Sequence, residues 1–167
     1  MRRTAAEVAQ LKRQKLTLER TFESSVEEVW ELWTTRSGIE SWWGPDGFEV
    51  KVRRLELRPG GVLDYTMTAV LPDQIEFLSK AGMALSTQHR VMFREVDPRR
   101  RLVYEMLADF IPGVEPYPVT TAIDFESTAN GVRVVVTFDA MHDERWTQLA
   151  TMGREGELAR LAALLKK

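Results

Sequence analysis

The chain has 167 residues, a net charge of -2 and no cysteine. This composition fits one globular domain and excludes disulfides, Cys-based metal sites and thiol nucleophiles. No general basic field points to nucleic acid, and no apolar run approaches the roughly 20 residues of a membrane span. The N-terminus is charged and lacks the apolar region of a secretory signal. We therefore expect a cytoplasmic protein with an N-terminal arm over residues 1–15 and a single domain over residues 16–167.

A strand and two helical segments open the predicted domain. Residues 16–23 alternate apolar and charged side chains, which indicates a strand. Ser24 or Ser25 can then cap a helix whose first turn is acidic, and this helix should end near residues 36–38. A shorter helical turn over residues 39–43 leads into a strong Gly-Pro-Asp-Gly break.

Six further strands are predicted from an apolar period of two. The phase slips at Arg53-Arg54, which suggests a bulge, and residues 72–83 interrupt the strands with a short helix that Asp73 could cap. Most links are tight turns, as at Asn130-Gly131, so the strands should form an antiparallel meander. The segments are residues 48–57, 62–71, 86–96, 101–108, 119–126 and 132–139.

The last 25 residues predict one long helix with Asp143 as its cap. Gly153 and Gly156 lie inside it, although glycine costs a helix roughly 1 kcal/mol relative to alanine. Gly153 shares one broad face of the helical wheel with Trp146, Leu149, Ala150 and Leu164. Packed on a sheet, that face would leave a cavity at its middle. A bend at the glycines is the other interpretation, and both stay open.

Several motifs resemble the helix-grip superfamily, also called START-like, birch-pollen-allergen-like or SRPBCC. They are Trp-Trp-Gly-Pro at residues 42–45, Leu-Arg-Pro-Gly-Gly at 57–61 and Phe-Arg-Glu-Val-Asp-Pro at 93–98. The chain looks most like the domain family named after the activator of the heat-shock protein 90 ATPase. The resemblance implies an α+β helix-grip fold, in which a curved seven-stranded antiparallel sheet wraps around a long C-terminal helix, with two short helices after the first strand. It also implies an apolar cavity between sheet and helix.

Candidate ligand-binding residues follow from these faces and from the resemblance. His89, Tyr65, Tyr104 and Glu157 are the polar anchors of a mainly apolar wall. Glu157 and Arg160 could form a pair inside the cavity or an ordinary surface pair. The loop over residues 110–118 could close over the cavity or contact another copy of the chain. The full predicted set is Trp43, Tyr65, Met67, His89, Tyr104, Met106, Phe110, Tyr117, Trp146, Leu149, Gly153 and Glu157.

The sequence favours the binding of a small apolar or amphipathic molecule. No catalytic signature is present, and no catalytic residue or cofactor is predicted. No metal site is predicted either, because the cluster of His142, Asp143 and Glu144 is typical of a helix start. Two alternatives stay open. One is a cyclase-type or hydrolase-type enzyme that uses His89 or Glu157 as acid or base. The other is a protein-binding module of a co-chaperone or stress-response kind. A homodimer is also left open.

Overall fold

The fold is built on one seven-stranded antiparallel sheet with the strand order β1-β7-β6-β5-β4-β3-β2. The computed structural model describes residues 14–109 and 111–166. β1 pairs with β7, and every other neighbouring pair is consecutive along the chain. The strands are β1 Lys15–Phe22, β2 Phe48–Leu55, β3 Val62–Ala69, β4 Ser86–Asp97, β5 Arg101–Ala108, β6 Tyr117–Thr128 and β7 Gly131–Asp139.

Four helices accompany the sheet: α1 Val26–Thr34, α2 Arg36–Trp42, α3 Pro72–Lys80 and α4 Glu144–Leu165. Two predicted caps are confirmed. The Ser25 hydroxyl accepts a hydrogen bond from the backbone N–H of Glu28 (3.1 Å) at the start of α1, and Asp143 accepts one from Trp146 (2.8 Å) at the start of α4. The α+β helix-grip architecture is therefore confirmed. None of the helices in the described ranges is long and apolar enough to cross a membrane.

The start of α3 corrects one prediction. Asp73 does not cap this helix: Leu71 occupies the cap position without a side-chain hydrogen bond, and Asp73 lies in the first turn. Pro72 is the first helical residue, where its missing N–H leaves no intrahelical bond unmade and its fixed φ suits the helix.

The strand irregularities follow the sequence closely. The β2–β3 register shifts between Val52 and Arg54, which confirms the predicted bulge. β6 begins at Tyr117, two residues before the predicted start at residue 119. Pro118 fits there because β6 pairs only with β5 at this point, and its pairing with β7 begins at Thr121. A proline on an unpaired strand side removes no ladder hydrogen bond.

An aromatic cluster joins α1 and α2 to the sheet. The Trp33 ring lies 4.6 Å from that of Trp42 and 5.5 Å from that of Phe125 (centroid to centroid), both edge to face. Trp42 is fully buried and donates its indole N–H to the carbonyl of Leu32 (2.7 Å). Edge-to-face pairs stabilise a core beyond the area they bury. The cluster fixes the start of the Trp-Trp-Gly-Pro segment and so directs Trp43 toward α4.

Candidate functional site

A cavity of about 290 Å³ lies between the sheet and α4; we call it the main cavity. Four strands, the Trp-Trp-Gly-Pro segment and one face of α4 contribute to its wall. Aromatic rings, methionines and small residues make up most of this lining. The lining residues are Trp43, Gly44, Pro45, Tyr65, Met67, His89, Val91, Tyr104, Met106, Ala108, Val119, Thr121, Met141, Ala150, Gly153, Arg154 and Glu157.

The glycines of α4 differ in their position around the helix. Gly153 lines the main cavity and Gly156 does not. A Cβ atom added at either residue would meet nothing within 4 Å, and α4 runs unbroken past both. The absent side chain at Gly153 therefore leaves open space on the cavity side of the helix.

The sheet side of the main cavity carries two tyrosine hydroxyls. The Trp43 ring lies edge to face with Tyr65, at 6.3 Å between centroids, and 5.9 Å from Tyr104. Burial raises the pKa of both Tyr65 and Tyr104 to about 12. Both hydroxyls therefore stay protonated near neutral pH, so each can donate and accept a hydrogen bond.

His89, near the start of β4, lies in the wall of the main cavity where β4 is not yet paired with β5. Its ring stacks on Tyr65 at 5.2 Å, and its Nε2 lies 2.7 Å from the Thr87 hydroxyl. Burial lowers the pKa of His89, opposed by the charge of Asp109, so the ring is neutral at pH 7 and above. The first β4–β5 pair is Val91 with Met106. The two strands are therefore unpaired beside His89, where the sheet is open.

Glu157 is the one acidic residue in the lining of the main cavity. Burial raises its pKa from the ordinary 4.5 to about 7, opposed by the charges of Arg154 and Arg160. Within residues 14–109 and 111–166, no side chain or backbone group makes a hydrogen bond or ion pair with its carboxyl group. A carboxyl group in this setting is close to half-ionised at neutral pH, and it faces the cavity without a fixed partner.

The two arginines near Glu157 are held by other groups. Arg154 donates to the Thr121 hydroxyl (2.8 Å), and its guanidinium lies 4.3 Å from the centroid of the Phe138 ring. Arg160 donates to the carbonyls of Gly44 and Pro45. Arg160 thus fastens α4 to the Trp-Trp-Gly-Pro segment, and of the two arrangements left open for Glu157 and Arg160 the pair inside the cavity does not form.

A second, smaller space of about 20 Å³ lies at the inner end of the site; we call it the inner void. It shares Tyr104, Arg154 and Glu157 with the main cavity, and Trp33 forms part of its wall. The indole nitrogen of Trp33 is buried and has no hydrogen-bond partner among residues 14–109 and 111–166. Buried polar groups in folded proteins nearly always have a partner, so this nitrogen marks the inner end as unusual.

Comparison with known proteins identifies the family. Residues 23–166 match the family described as Activator of Hsp90 ATPase homolog 1-like protein. The chain belongs to this family. No protein in the curated comparison set matches the chain.

Solved structures of low sequence identity share the fold of this AHSA1-like chain. A protein of Chromobacterium violaceum is 20% identical with a TM-score of 0.72, over 92% of this chain and 97% of that one. The AHSA1 protein from Silicibacter pomeroyi is 17% identical with a TM-score of 0.70, over 91% and 97%. An AHSA1-like protein from Aeromonas hydrophila is 24% identical with a TM-score of 0.65, over 92% and 96%.

The structure brings eight of the twelve predicted site residues together around the main cavity of this AHSA1-like domain. These eight are Trp43, Tyr65, Met67, His89, Tyr104, Met106, Gly153 and Glu157. Phe110 lies outside the described residues.

Three predicted site residues do not line the main cavity. Tyr117 and Trp146 belong to an apolar cluster at the start of α4 that adjoins the cavity, since its members Ala108, Val119, Met141 and Ala150 line both. The Tyr117 hydroxyl lies 2.8 Å from Nδ1 of His142. Leu149 is 48% exposed. Adjacent helix residues point about 100° apart, so the face that carries Ala150 and Gly153 turns Leu149 toward solvent.

Arg154, Thr121, Met141 and Trp33 were missed as members of the site. The helical period could have identified Arg154, because it is three residues before Glu157 and four after Ala150. The spacing of Trp33 after Val29 and Trp30 indicates only the apolar face of α1. Its role at the inner void depends on where its nitrogen points, which no sequence period specifies.

Proposed function

We propose that this AHSA1-like domain binds a small, largely apolar molecule in the main cavity. The observation that carries the proposal is an open volume of about 290 Å³ beside Gly153, walled mostly by aromatic, methionine and small apolar residues. Removing apolar ligand surface from water contributes roughly 25 cal/mol per Å². A few polar groups in such a wall would set the orientation of the ligand.

The volume favours a ligand of about two rings. An engineered apolar cavity of about 150 Å³ holds one benzene molecule, and the main cavity has close to twice that volume. Naphthalene and its simple derivatives match this size. A sterol or a long acyl chain would need more room or a displaced wall.

Acid–base catalysis on the bound molecule has weaker support than binding. The pKa of Glu157, near 7, would suit a general base. However, its carboxyl group is hydrogen-bonded to no hydroxyl or imidazole of the described residues, and Nε2 of His89 lies against Thr87. A nucleophile held by a base is therefore missing from the wall, and binding is the function that the geometry favours.

A cavity-filling variant tests the proposal. Naphthalene should bind the unmodified protein with a dissociation constant on the order of 0.1 mM, from ten carbon atoms at about 0.5 kcal/mol each. Gly153→Leu should weaken this binding at least tenfold because its side chain would occupy the main cavity. Isothermal titration calorimetry measures both affinities.

Gly156→Leu is the matched control. It lies on the same helix, gains the same helix propensity and has equally open surroundings, but it does not line the main cavity. It should leave the affinity for naphthalene within about twofold. Equal affinity in both variants, or no binding by the unmodified protein, would refute the proposed function.

A further inference from the structure

The inner void carries one unpartnered donor and one unpartnered acceptor. Trp33 is 2% exposed, and its indole N–H makes no hydrogen bond with the part of the chain that the structure describes. Burial raises the pKa of Tyr104, and the nearby Trp33 N–H offsets a small part of that rise, although the N–H does not reach hydrogen-bonding geometry with any group of the described residues. On the same wall stands Glu157, whose carboxyl group has no partner among the residues that the structure describes.

The chemistry of these two groups selects what can fill the space between them. A ligand carboxylate can only accept hydrogen bonds, so it would satisfy Trp33 and face Arg154, but it could not donate to the Glu157 carboxylate and would be repelled by it. An ammonium group can only donate, so it would leave the Trp33 N–H unpaired and would face Arg154 across the same void. A hydroxyl group donates one hydrogen bond and accepts others, so it can satisfy both.

The volume of the inner void agrees with this selection. About 20 Å³ is enough for one group the size of a water molecule. The void adjoins the main cavity, with which it shares Tyr104, Arg154 and Glu157. A ligand whose apolar body fills the main cavity could therefore extend one oxygen atom inward.

We propose that the inner void is a hydroxyl subsite, so that the ligand of this protein is a neutral, hydroxylated molecule of about two rings. The hydroxyl donates to the Glu157 carboxyl group and accepts from the Trp33 indole N–H. This inference rests on the proposed function, because the apolar body of the ligand must lie in the main cavity.

Calorimetry with four ligands of one shape tests the subsite. The probes are naphthalene, 2-naphthol, 2-naphthoate and 2-naphthylmethylammonium, all at pH 7. The unmodified protein should bind 2-naphthol about tenfold more tightly than naphthalene, as expected for two additional hydrogen bonds in a desolvated site. The anion and the cation should bind no more tightly than naphthalene.

Two variants then locate the hydroxyl. Trp33→Phe keeps an aromatic ring and removes the donor, and Glu157→Leu removes the acceptor. Each should reduce the preference for 2-naphthol over naphthalene, measured as the ratio of the two affinities within the same variant, to about twofold or less. The matched controls are Trp30→Phe, a buried tryptophan of α1 outside both spaces, and Glu155→Leu, an exposed acid of α4. Both controls should keep the tenfold preference.

The outcomes separate this inference from the proposed function. Equal affinity for 2-naphthol and naphthalene, or a preference that survives both variants, overturns the hydroxyl subsite and leaves cavity binding intact. Tightest binding of the anion or the cation overturns it in the same way. No binding of any probe overturns both proposals. If Trp33→Phe fails to fold, Glu157→Leu alone decides, with a cooperative urea unfolding transition reporting an intact fold.

Discussion

Replacing Glu157 by glutamine should stabilise the protein at neutral and alkaline pH but not in mild acid. Glutamine has nearly the same shape as a protonated glutamic acid and cannot ionise. The comparison therefore isolates the free-energy cost of ionising the Glu157 carboxyl group on α4 inside the main cavity. It also tests the geometry of the site without any ligand.

The sign and size of this effect follow from the two pKa values of Glu157. The carboxyl group titrates near 4.5 in the unfolded chain and near 7 in the fold. Between these values the folded state holds more protons than the unfolded state, so the free energy of unfolding falls as pH rises. At 1.36 kcal/mol per pKa unit, the loss reaches about 3 kcal/mol above pH 7. The glutamine variant does not undergo this loss.

Urea unfolding followed by tryptophan fluorescence measures the difference, since urea is uncharged and does not screen electrostatic interactions. The variant should exceed the unmodified protein in free energy of unfolding by about 3 kcal/mol at pH 8 and by under about 1 kcal/mol at pH 5. The lowered pKa of His89 makes stability rise with pH in part of this window, but it acts equally in both proteins and cancels.

Glu155→Gln is the control, because Glu155 is exposed on the same helix. Its stability should follow that of the unmodified protein within about 0.5 kcal/mol at every pH. A difference between Glu157→Gln and the unmodified protein that stays constant from pH 5 to pH 8 would show that Glu157 is well solvated. A difference that shrinks as pH rises would mean that the carboxylate has a stabilising partner. Either result refutes the reasoning.

Two further substitutions test the sheet. Gly131→Ala should cost at least about 2 kcal/mol of stability in urea unfolding, because its Cβ would lie 1.9 Å from the carbonyl oxygen of Phe22; an unchanged unfolding midpoint would contradict that contact. Asp64→Ala should cost about 1–2 kcal/mol at pH 7, since both carboxylate oxygens of Asp64 accept from Arg90 at 2.7 and 2.9 Å. The hydrogen bonds from Arg90 lower the pKa of Asp64. The stability cost of Asp64→Ala should therefore shrink as pH falls below about 3.8, where the carboxylate becomes protonated. A cost that is the same at pH 3 and pH 7 would exclude the ion pair as its cause.

Local patterns were enough to predict the order and type of the elements. The period of two predicted each strand, and the slip at Arg53-Arg54 marked the bulge because an extra residue moves every later side chain to the other face. Ser25 and Asp143 were readable as caps because capping depends on groups only three residues apart. The prediction of Asp73 as a cap was wrong for a reason that is equally local. Pro72 occupies the first helical position, so the helix begins closer to the N-terminus and Asp73 lies in its first turn.

Residues of the site were predictable only where the periodic face of a single helix or strand places them in the cavity. Gly153 and Glu157 were identified because they share the helical face of Ala150, and Tyr65 and Met67 because they share a strand face. The partner of Glu157 was not predictable. Arg160 and Arg154 are both three residues from it, and tertiary contacts with Gly44 and Thr121 decide where each guanidinium lies.

Two residues of α4 that line the main cavity, Gly153 and Glu157, are not the most stable choices at their positions. Alanine at Gly153 would meet no neighbour and would favour the helix by about 1 kcal/mol. An uncharged residue at Glu157 would remove a cost of about 3 kcal/mol at neutral pH. Together these two residues give up roughly 4 kcal/mol, against a typical total stability of about 5–15 kcal/mol. Natural proteins are seldom at their stability optimum, and violations of local rules are expected at functional sites. Gly156 gives up the same helix propensity with equally open surroundings but does not line the main cavity, so it is Glu157, with the larger cost, that distinguishes the cavity face of α4.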